Sequence, residues 1–157
     1  MLGLSVEMFS GGKSLTFEGS GQENTVLKFT TVATNQNHVL FDLSSCSDIE
    51  FRNMTFWGKG TIFKATGCSN IRFYNCKFIS EWNETDNDTD ALSMGSMTNM
   101  LFENCTFELS GRGLAGTSSL RTNFINCKFG GETDSTTRNY SYIYISGVMD
   151  ETDVTNC

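Results

Sequence analysis

A short phrase recurs five times along the chain, and its spacing constrains the fold more than any other feature. The phrase is an apolar residue, a spacer, an Asn, usually a Cys, another spacer and a Phe, as in Phe73-Tyr74-Asn75-Cys76-Lys77-Phe78. The recurring asparagines are Asn53, Asn75, Asn104, Asn126 and Asn156. The steps between them are 22, 29, 22 and 30 residues. A period of this length, made of β-forming residues, predicts a solenoid in which each repeat is one coil.

Each repeat contains the pattern of three short strands. Apolar and polar residues alternate on both sides of the Asn, which indicates two strands that each bury one face. Asn tolerates a left-handed backbone better than most residues, so we expect it to form the bend between them. A third apolar segment precedes each Asn; these segments are Phe41-Asp42-Leu43, Phe63-Lys64-Ala65, Leu92-Ser93-Met94, Leu114-Ala115-Gly116 and Tyr144-Ile145-Ser146. The sequence therefore predicts an all-β fold, a right-handed single-stranded parallel β-helix of about six rungs with three short strands per rung.

Stacking of the rungs, about 4.8 Å apart, should place equivalent residues in columns. We expect the Asn side chains to form a hydrogen-bonded ladder, and three inward columns to fill the core. The inward columns are Phe51, Phe73, Phe102, Phe124 and Val154; Phe56, Phe78, Phe107 and Phe129; and Met54, Cys76, Cys105, Cys127 and Cys157. The cysteines are expected to be reduced core residues. The rung spacing also allows a Cys46–Cys68 or a Cys105–Cys127 disulfide.

Two parts of the chain resemble the rungs of a known superfamily. They are the opening residues 14–21 followed by 25–29, and the rung from Asn70 to Phe78. Both resemble the pectate-lyase-like right-handed parallel β-helix superfamily, and the resemblance covers about residues 14–157. The resemblance implies the fold, but that superfamily holds lyases, glycosidases, esterases, tailspikes, adhesins and structural proteins, so no single activity follows.

The two longer repeats carry insertions at the same corner, Ile79 to Thr89 and Gly130 to Ser141. By the resemblance, the substrate cleft of related enzymes lies between loops at this corner and the adjoining first strand. A lyase-like arrangement there would use Asp90 to hold a metal, with Lys64 or Arg112 as the base. The polygalacturonase-like set of paired Asp, Gly-His-Gly and Arg-x-Lys does not occur in the sequence.

The insertions also suggest ligands and modifications. Alternating Asp86, Asp88 and Asp90 could bind Ca²⁺, which prefers clustered oxygen ligands, and the alternative is a solvated acidic loop. No other cofactor is expected. Asn-x-Ser/Thr triplets in polar loops predict N-glycosylation, and the candidate acceptors are Asn83, Asn87 and Asn139.

The net charge of the chain and the place where its last rung stops limit the functions to be expected. A net charge of −7 argues against nucleic acid as a partner, and no apolar run approaches the ~18 residues of a membrane span. Residues 1–157 are expected to form a single β-helix domain, and because the last rung stops at Cys157 without a cap, we expect a fragment or an assembly unit.

We therefore favour an extracellular scaffold, at a cell or virion surface, that is structural or adhesive and not an enzyme. It is expected to self-associate through the helix ends, with filaments as one outcome. The alternative is a carbohydrate-binding or polysaccharide-degrading protein, tailspike- or lyase-like, with a polysaccharide or glycan as its partner.

Overall fold

The computed structural model describes residues 4–5, 14–28, 39–59, 61–81, 90–109, 112–117, 121–130, 143–146 and 153–157. Within these ranges the regular elements are β-strands in three parallel sheets. No helix able to cross a membrane occurs among these residues.

The bounds of the strands follow the three predicted segments of each repeat. Sheet A contains β1 (Leu4–Ser5), β4 (Val39–Ser44), β7 (Thr61–Thr66), β10 (Asp90–Gly95), β13 (Arg112–Thr117) and β16 (Ile143–Ser146). Sheet B contains β2 (Leu15–Glu18), β5 (Ser47–Arg52), β8 (Ser69–Tyr74), β11 (Met100–Glu103), β14 (Thr122–Ile125) and β17 (Asp153–Thr155). Sheet C contains β3 (Val26–Lys28), β6 (Thr55–Lys59), β9 (Lys77–Glu81), β12 (Thr106–Leu109) and β15 (Lys128–Gly130).

Each strand from β1 to β14 pairs with the strand three places further along the chain, so the backbone passes through sheets A, B and C in turn. This topology confirms the predicted parallel β-helix with three strands in each of about six rungs. Because successive side chains of a strand point to opposite faces, the register decides which residues enter the core. In sheet B, for example, Phe51, Phe73 and Phe102 are consecutive Cα partners.

Both short bends of a rung use left-handed residues. The bend between sheets B and C lies at the recurring Asn, whose φ is 56° at Asn53 and 51° at Asn75. The bend between sheets A and B uses Ser45, Gly67 and Ser96, with φ values of 54°, 64° and 52°. Asn was expected at the first of these bends because its side chain lowers the steric cost of this conformation.

Phenylalanine rings form the centre of the solenoid. In sheet B the rings of Phe73 and Phe102 are parallel at 4.8 Å between centroids, and in sheet C those of Phe78 and Phe107 are parallel at 5.1 Å. Rings of different columns meet edge to face, as Phe73 and Phe78 do at 5.3 Å. Such pairs contribute about 0.5–1.5 kcal/mol each beyond the burial of their area.

Two predicted boundaries and one predicted register are wrong. Strand β9 continues to Glu81 and β15 to Gly130, so Ile79 and Gly130 belong to sheet C and not to the insertions. In the last rung Ala115 pairs with Tyr144, so Tyr144 and not Ile145 takes the equivalent place. The cause is one additional residue between β16 and Asn156, which an assumption of constant offsets does not allow.

Candidate functional site

Sheet A carries the three candidate catalytic residues, and its register divides them between two columns. Lys64 is the Cα partner of Asp42 and of Ser93, whereas Asp90 is the Cα partner of Arg112. Asp90 and Ser93 are three residues apart on one strand, or roughly 10 Å. The backbone of Asp90 thus lies beside that of Arg112 and further from that of Lys64.

The described charges on this face form a solvated ion pair. Lys64 Nζ lies 3.9 Å from Asp42 Oδ2, and both side chains are 48% exposed. An exposed pair of this length contributes between 0 and about 1 kcal/mol. The Lys64 ammonium lies toward β4 of the preceding rung, on the side of β7 away from β10 and Asp90.

The predicted ligands and modification sites of the first insertion lie outside the described residues. These residues are Asp86, Asp88, Asn83 and Asn87, and Asn139 of the second insertion shares this position. Within the described ranges, no three His, Cys, Asp or Glu residues are close enough to hold a metal ion. The calcium site and the glycosylation sites stay predictions.

The structure brings the recurring asparagines together at one corner. Asn75 Nδ2 donates a hydrogen bond to Asn53 Oδ1 at 2.8 Å. Asn126 donates in the same way to Asn104 at 3.3 Å, and Asn156 donates to Asn126 at 3.2 Å. In each of these bonds the amide nitrogen points toward the preceding rung, so this amide ladder has one direction along the solenoid.

Residues of the first rung close the lower end of the amide ladder. Asn53 Nδ2 donates to Glu18 Oε1 at 2.7 Å, and Gln22 Nε2 donates to Asn75 Oδ1 at 3.0 Å. Gly19 makes this possible, since a Cβ there would lie 2.3 Å from the Asn53 carbonyl oxygen. A carboxylate, which only accepts, thus receives the last amide donor of the ladder.

A second ladder runs parallel to the first and was missed in the sequence. Asp48, Asn70 and Asn99 have φ values of 58°, 55° and 57°. Asn70 Nδ2 donates to Asp48 Oδ1 at 2.9 Å, and Asn99 Nδ2 donates to Asn70 Oδ1 at 3.2 Å. Hydrogen bonds from Ser47 and then from Asn70 lower the pKa of the Asp48 carboxyl. These residues lie five positions before successive recurring asparagines, which is the signal that could have revealed them.

The outer face of sheet B carries a compensated charge network. Glu50 Oε2 accepts hydrogen bonds from Arg52 Nε at 3.0 Å and Nη2 at 2.7 Å, and Glu50 Oε1 lies 3.4 Å from Arg72 Nη1. The Arg52 guanidinium also lies 4.5 Å from the centre of the Tyr74 ring. The hydrogen bond with Arg52 lowers the pKa of Glu50 and raises that of Arg52.

The outer face of sheet C is different because lysines dominate its described charges. Lys28 Nζ lies 3.0 Å from the centre of the Trp57 ring, a cation–π contact. Lys77 Nζ lies 3.0 Å from Glu108 Oε1, and Lys128 is exposed.

Comparison with known proteins identifies the family but no individual relative. No curated protein and no solved structure matches the chain. The sequence profile of the family described as "Right handed beta helix region" matches residues 39–157. The chain belongs to the right-handed β-helix family. Membership agrees with the pectate-lyase-like fold expected from the rung motifs, and it names no reaction.

The cysteines of this right-handed β-helix are free, and five of the six are buried. The Cys105 thiol donates to the Phe73 carbonyl oxygen at 3.5 Å, and the Cys127 thiol donates to that of Phe102 at 3.3 Å. Hydrogen bonds with the sulfurs of Cys127 and Cys76, together with burial, raise the pKa of Cys105. The column thus consists of packed thiols, as expected, and neither of the two disulfides considered is formed.

Proposed function

We propose that this right-handed β-helix is a structural or adhesive scaffold displayed at an extracellular surface. The observation that supports this role is the continuous core, in which nine phenylalanines are less than 2% exposed. Every rung buries its apolar face only against its neighbours, so the packing transmits rigidity along the whole solenoid. Two polar ladders hold the bends of the rungs in the same way.

The proposal includes contacts through the ends of the solenoid. Val154 is the Cα partner of Phe124 and continues its column on β17. A second copy stacked there would bury Val154 and extend the column, and repetition of that contact would produce a filament.

Electron microscopy of the native protein tests the scaffold and its assembly. We expect elongated particles joined end to end, and Val154→Lys should shorten or abolish the assemblies because it would bury a charge. The matched control is Thr155→Lys, which adds the same charge one residue further along β17. Single particles at every concentration, or equal effects of both substitutions, would refute assembly through this end.

Surface display has its own test. Asn53-Met54-Thr55 is also an Asn-x-Thr triplet. However, the Asn53 amide is bonded on both sides within the amide ladder, and the Thr55 hydroxyl donates to the Gln22 carbonyl oxygen at 2.8 Å. A secreted sample from eukaryotic cells should therefore carry glycans on Asn83, Asn87 or Asn139 and none on Asn53. Glycopeptide mass spectrometry checks this, and a glycan found on Asn53 alone would contradict it.

A second candidate function is recognition or degradation of a polysaccharide. It is supported by the register, which makes Asp90 and Arg112 backbone neighbours next to the first insertion. Incubation with a panel of neutral and acidic polysaccharides, followed by detection of new reducing ends or unsaturated products, tests degradation. An enzyme would lose turnover in Asp90→Asn and Arg112→Gln, whereas the scaffold predicts no turnover in the native protein.

A further inference from the structure

We propose that soft monovalent metal ions, Cu⁺ or Ag⁺, bind between the stacked cysteine thiols of two columns inside the solenoid. The first cysteine column consists of Cys76, Cys105, Cys127 and Cys157, and the second of Cys46 and Cys68. Each site takes one ion between the sulfurs of two adjacent rungs. The inference is independent of the scaffold and of the glycan-binding function proposed above.

Backbone hydrogen bonds fix the register of both columns. In the first column, Thr106 N donates to Cys76 O at 2.9 Å, and Lys128 N donates to Cys105 O at 2.8 Å. In each case the residue after one cysteine is bonded to the cysteine of the preceding rung, and the second column has the same bond at 3.0 Å. Equivalent cysteines therefore lie directly above one another, about 4.8 Å apart.

The sulfur atoms lie between the rungs. Cys105 Sγ is 3.5 Å from the Phe73 carbonyl oxygen of the preceding rung and 3.5 Å from the carbonyl oxygen two residues earlier in its own rung. The corresponding distances for Cys127 Sγ are 3.3 Å, to the Phe102 oxygen, and 3.5 Å. At the upper end, Cys157 Sγ lies 3.3 Å from Cys127 N. Because each sulfur has nearly the same position relative to its rung, the sulfurs repeat at the rung spacing.

This spacing suits an ion that is bound by two ligands on a line. A thiolate lies about 2.3 Å from Zn²⁺, so two thiolates on opposite sides of an ion of similar size are ~4.6 Å apart, close to the rung spacing of ~4.8 Å. Thiolates select soft ions such as Cu⁺, and Cu⁺ and Ag⁺ both accept linear coordination. Zn²⁺ instead prefers four tetrahedral ligands, and no three His, Cys, Asp or Glu side chains of the described ranges could share an ion.

The charges of thiolates and ions nearly cancel along a column. Three monovalent ions between four thiolates leave one negative charge, and filling these sites releases four protons and transfers no electrons. Buried charges are tolerated when they coordinate a metal, and the thiol hydrogen bonds that are lost are weak. The thiolate is the form that binds metal. The hydrogen bond with the Cys105 sulfur lowers the pKa of Cys127 to about 7, which favours that form near neutral pH.

The geometry makes a specific prediction for the number of ions bound. The first column has three intervals between adjacent thiols and the second has one, so the native chain should bind four ions in thiolate pairs. Cys105 borders two intervals, whereas Cys157, at the upper end of its column, borders one. Cys105→Ser should therefore remove two ions and Cys157→Ser one. Ions bound to individual thiols would be lost equally in the two variants.

Competitive titration with Cu⁺ tests the inference. The reduced, folded chain is equilibrated for hours without oxygen, so that local opening of the corner admits the ions. Bathocuproine disulfonate, a coloured Cu⁺ chelator, serves as the competitor, and native mass spectrometry counts the ions in each chain. Ag⁺ is the second probe and Zn²⁺ the comparison ion. The matched control is Met100→Leu, which removes a buried sulfur that lies on β11, outside both columns.

We expect four Cu⁺ ions in the native chain and in Met100→Leu, three in Cys157→Ser and two in Cys105→Ser. Serine can donate to the same carbonyl oxygens, and circular dichroism verifies that each variant is folded. Cys127→Ser also removes two intervals, and it replaces Cys105→Ser if that variant does not fold. Absence of Cu⁺ from the folded chain, equal losses from the inner and the upper-end variant, a loss in Met100→Leu, or the same count with Zn²⁺ would overturn the inference.

Discussion

Replacement of Asn75 by alanine would remove two features of the amide ladder at once. Asn75 has a φ of 51°, it donates to Asn53 at 2.8 Å, and it accepts from Gln22 at 3.0 Å. Alanine adopts this left-handed backbone at a cost of about 1–2 kcal/mol. Each hydrogen bond lost at this solvent-exposed corner adds about 0.5–1 kcal/mol, the lower part of the usual range. The free energy of unfolding should therefore fall by about 2–4 kcal/mol.

Two further substitutions at the same position separate the contributions. Asn75→Gly removes both hydrogen bonds but accepts the left-handed backbone, and it costs about 0.5–1 kcal/mol in additional chain entropy. We expect it to be more stable than the alanine variant by up to about 1 kcal/mol. Asn75→Asp keeps the oxygen that accepts from Gln22, but it replaces the donor facing Asn53 Oδ1 by an acceptor. Its destabilisation should shrink when the new carboxylate is protonated at low pH.

Equilibrium unfolding in urea, followed by circular dichroism, measures all three variants against the native protein. We expect an unchanged dependence of the unfolding free energy on urea concentration and lower midpoints. A loss below about 0.5 kcal/mol in Asn75→Ala would refute the ladder as a source of stability. A glycine variant less stable than the alanine variant would refute the argument from backbone conformation.

Three other predictions concern a buried threonine, the cysteines and a carboxylate on sheet B. Thr122 is 1% exposed and its hydroxyl has no hydrogen-bond partner among the described residues, so Thr122→Val should raise the free energy of unfolding by about 1–3 kcal/mol; a decrease in urea unfolding would contradict this. Ellman's reagent should modify one thiol per native chain, Cys157, and all six after denaturation, because the other five are buried; rapid reaction of more than one would refute that burial. The hydrogen bond from Arg52 lowers the pKa of Glu50 in the folded protein. The ionised Glu50 therefore stabilises the fold at pH values above its unfolded pKa, near 4.3, and this stabilisation is lost as the pH falls through the lower folded pKa. Melting temperatures of Glu50→Gln should therefore depend less on pH below about 4 than those of the native protein, and identical pH profiles would contradict this linkage.

Most of the fold could be predicted because one residue type marks each rung. The recurring Asn fixes a bend, and period-two alternation on both sides of it fixes which residues are buried. The Phe columns follow from those two facts together, as the parallel rings of Phe73 and Phe102 show.

The parts that the sequence did not predict depend on residues that break the regular offsets. Tyr144 and Ile145 both lie in an alternating segment, so the pattern permits either register, and the additional residue before Asn156 decides it. Asp48 and Asn70 lie inside segments that otherwise look like strand, and Asn99 directly precedes β11. The bond from Gln22 to Asn75 joins residues 53 positions apart, which no local pattern indicates.

The candidate site was less predictable than the fold for a physical reason. Sequence alternation tells which face a residue occupies, but the pairing of Asp90 with Arg112 depends on how an inserted segment restores the register. Charged side chains on the outside are also exchanged with little effect on stability, so their pattern is only weakly tied to the fold.

The fixed pairing of every rung with the next restricts how a chain of this kind can change in length. Loss of one residue within β8 would turn its phenylalanine toward water and its arginine into the core. Excision of residues 54–75 would instead join Asn53 to Cys76, shorten the solenoid by one winding and leave each vertical row continuous. Insertions and deletions of residues should therefore come as whole windings. Segments of any length are also tolerated between β9 and β10 or between β15 and β16, because the strands on either side keep their pairing.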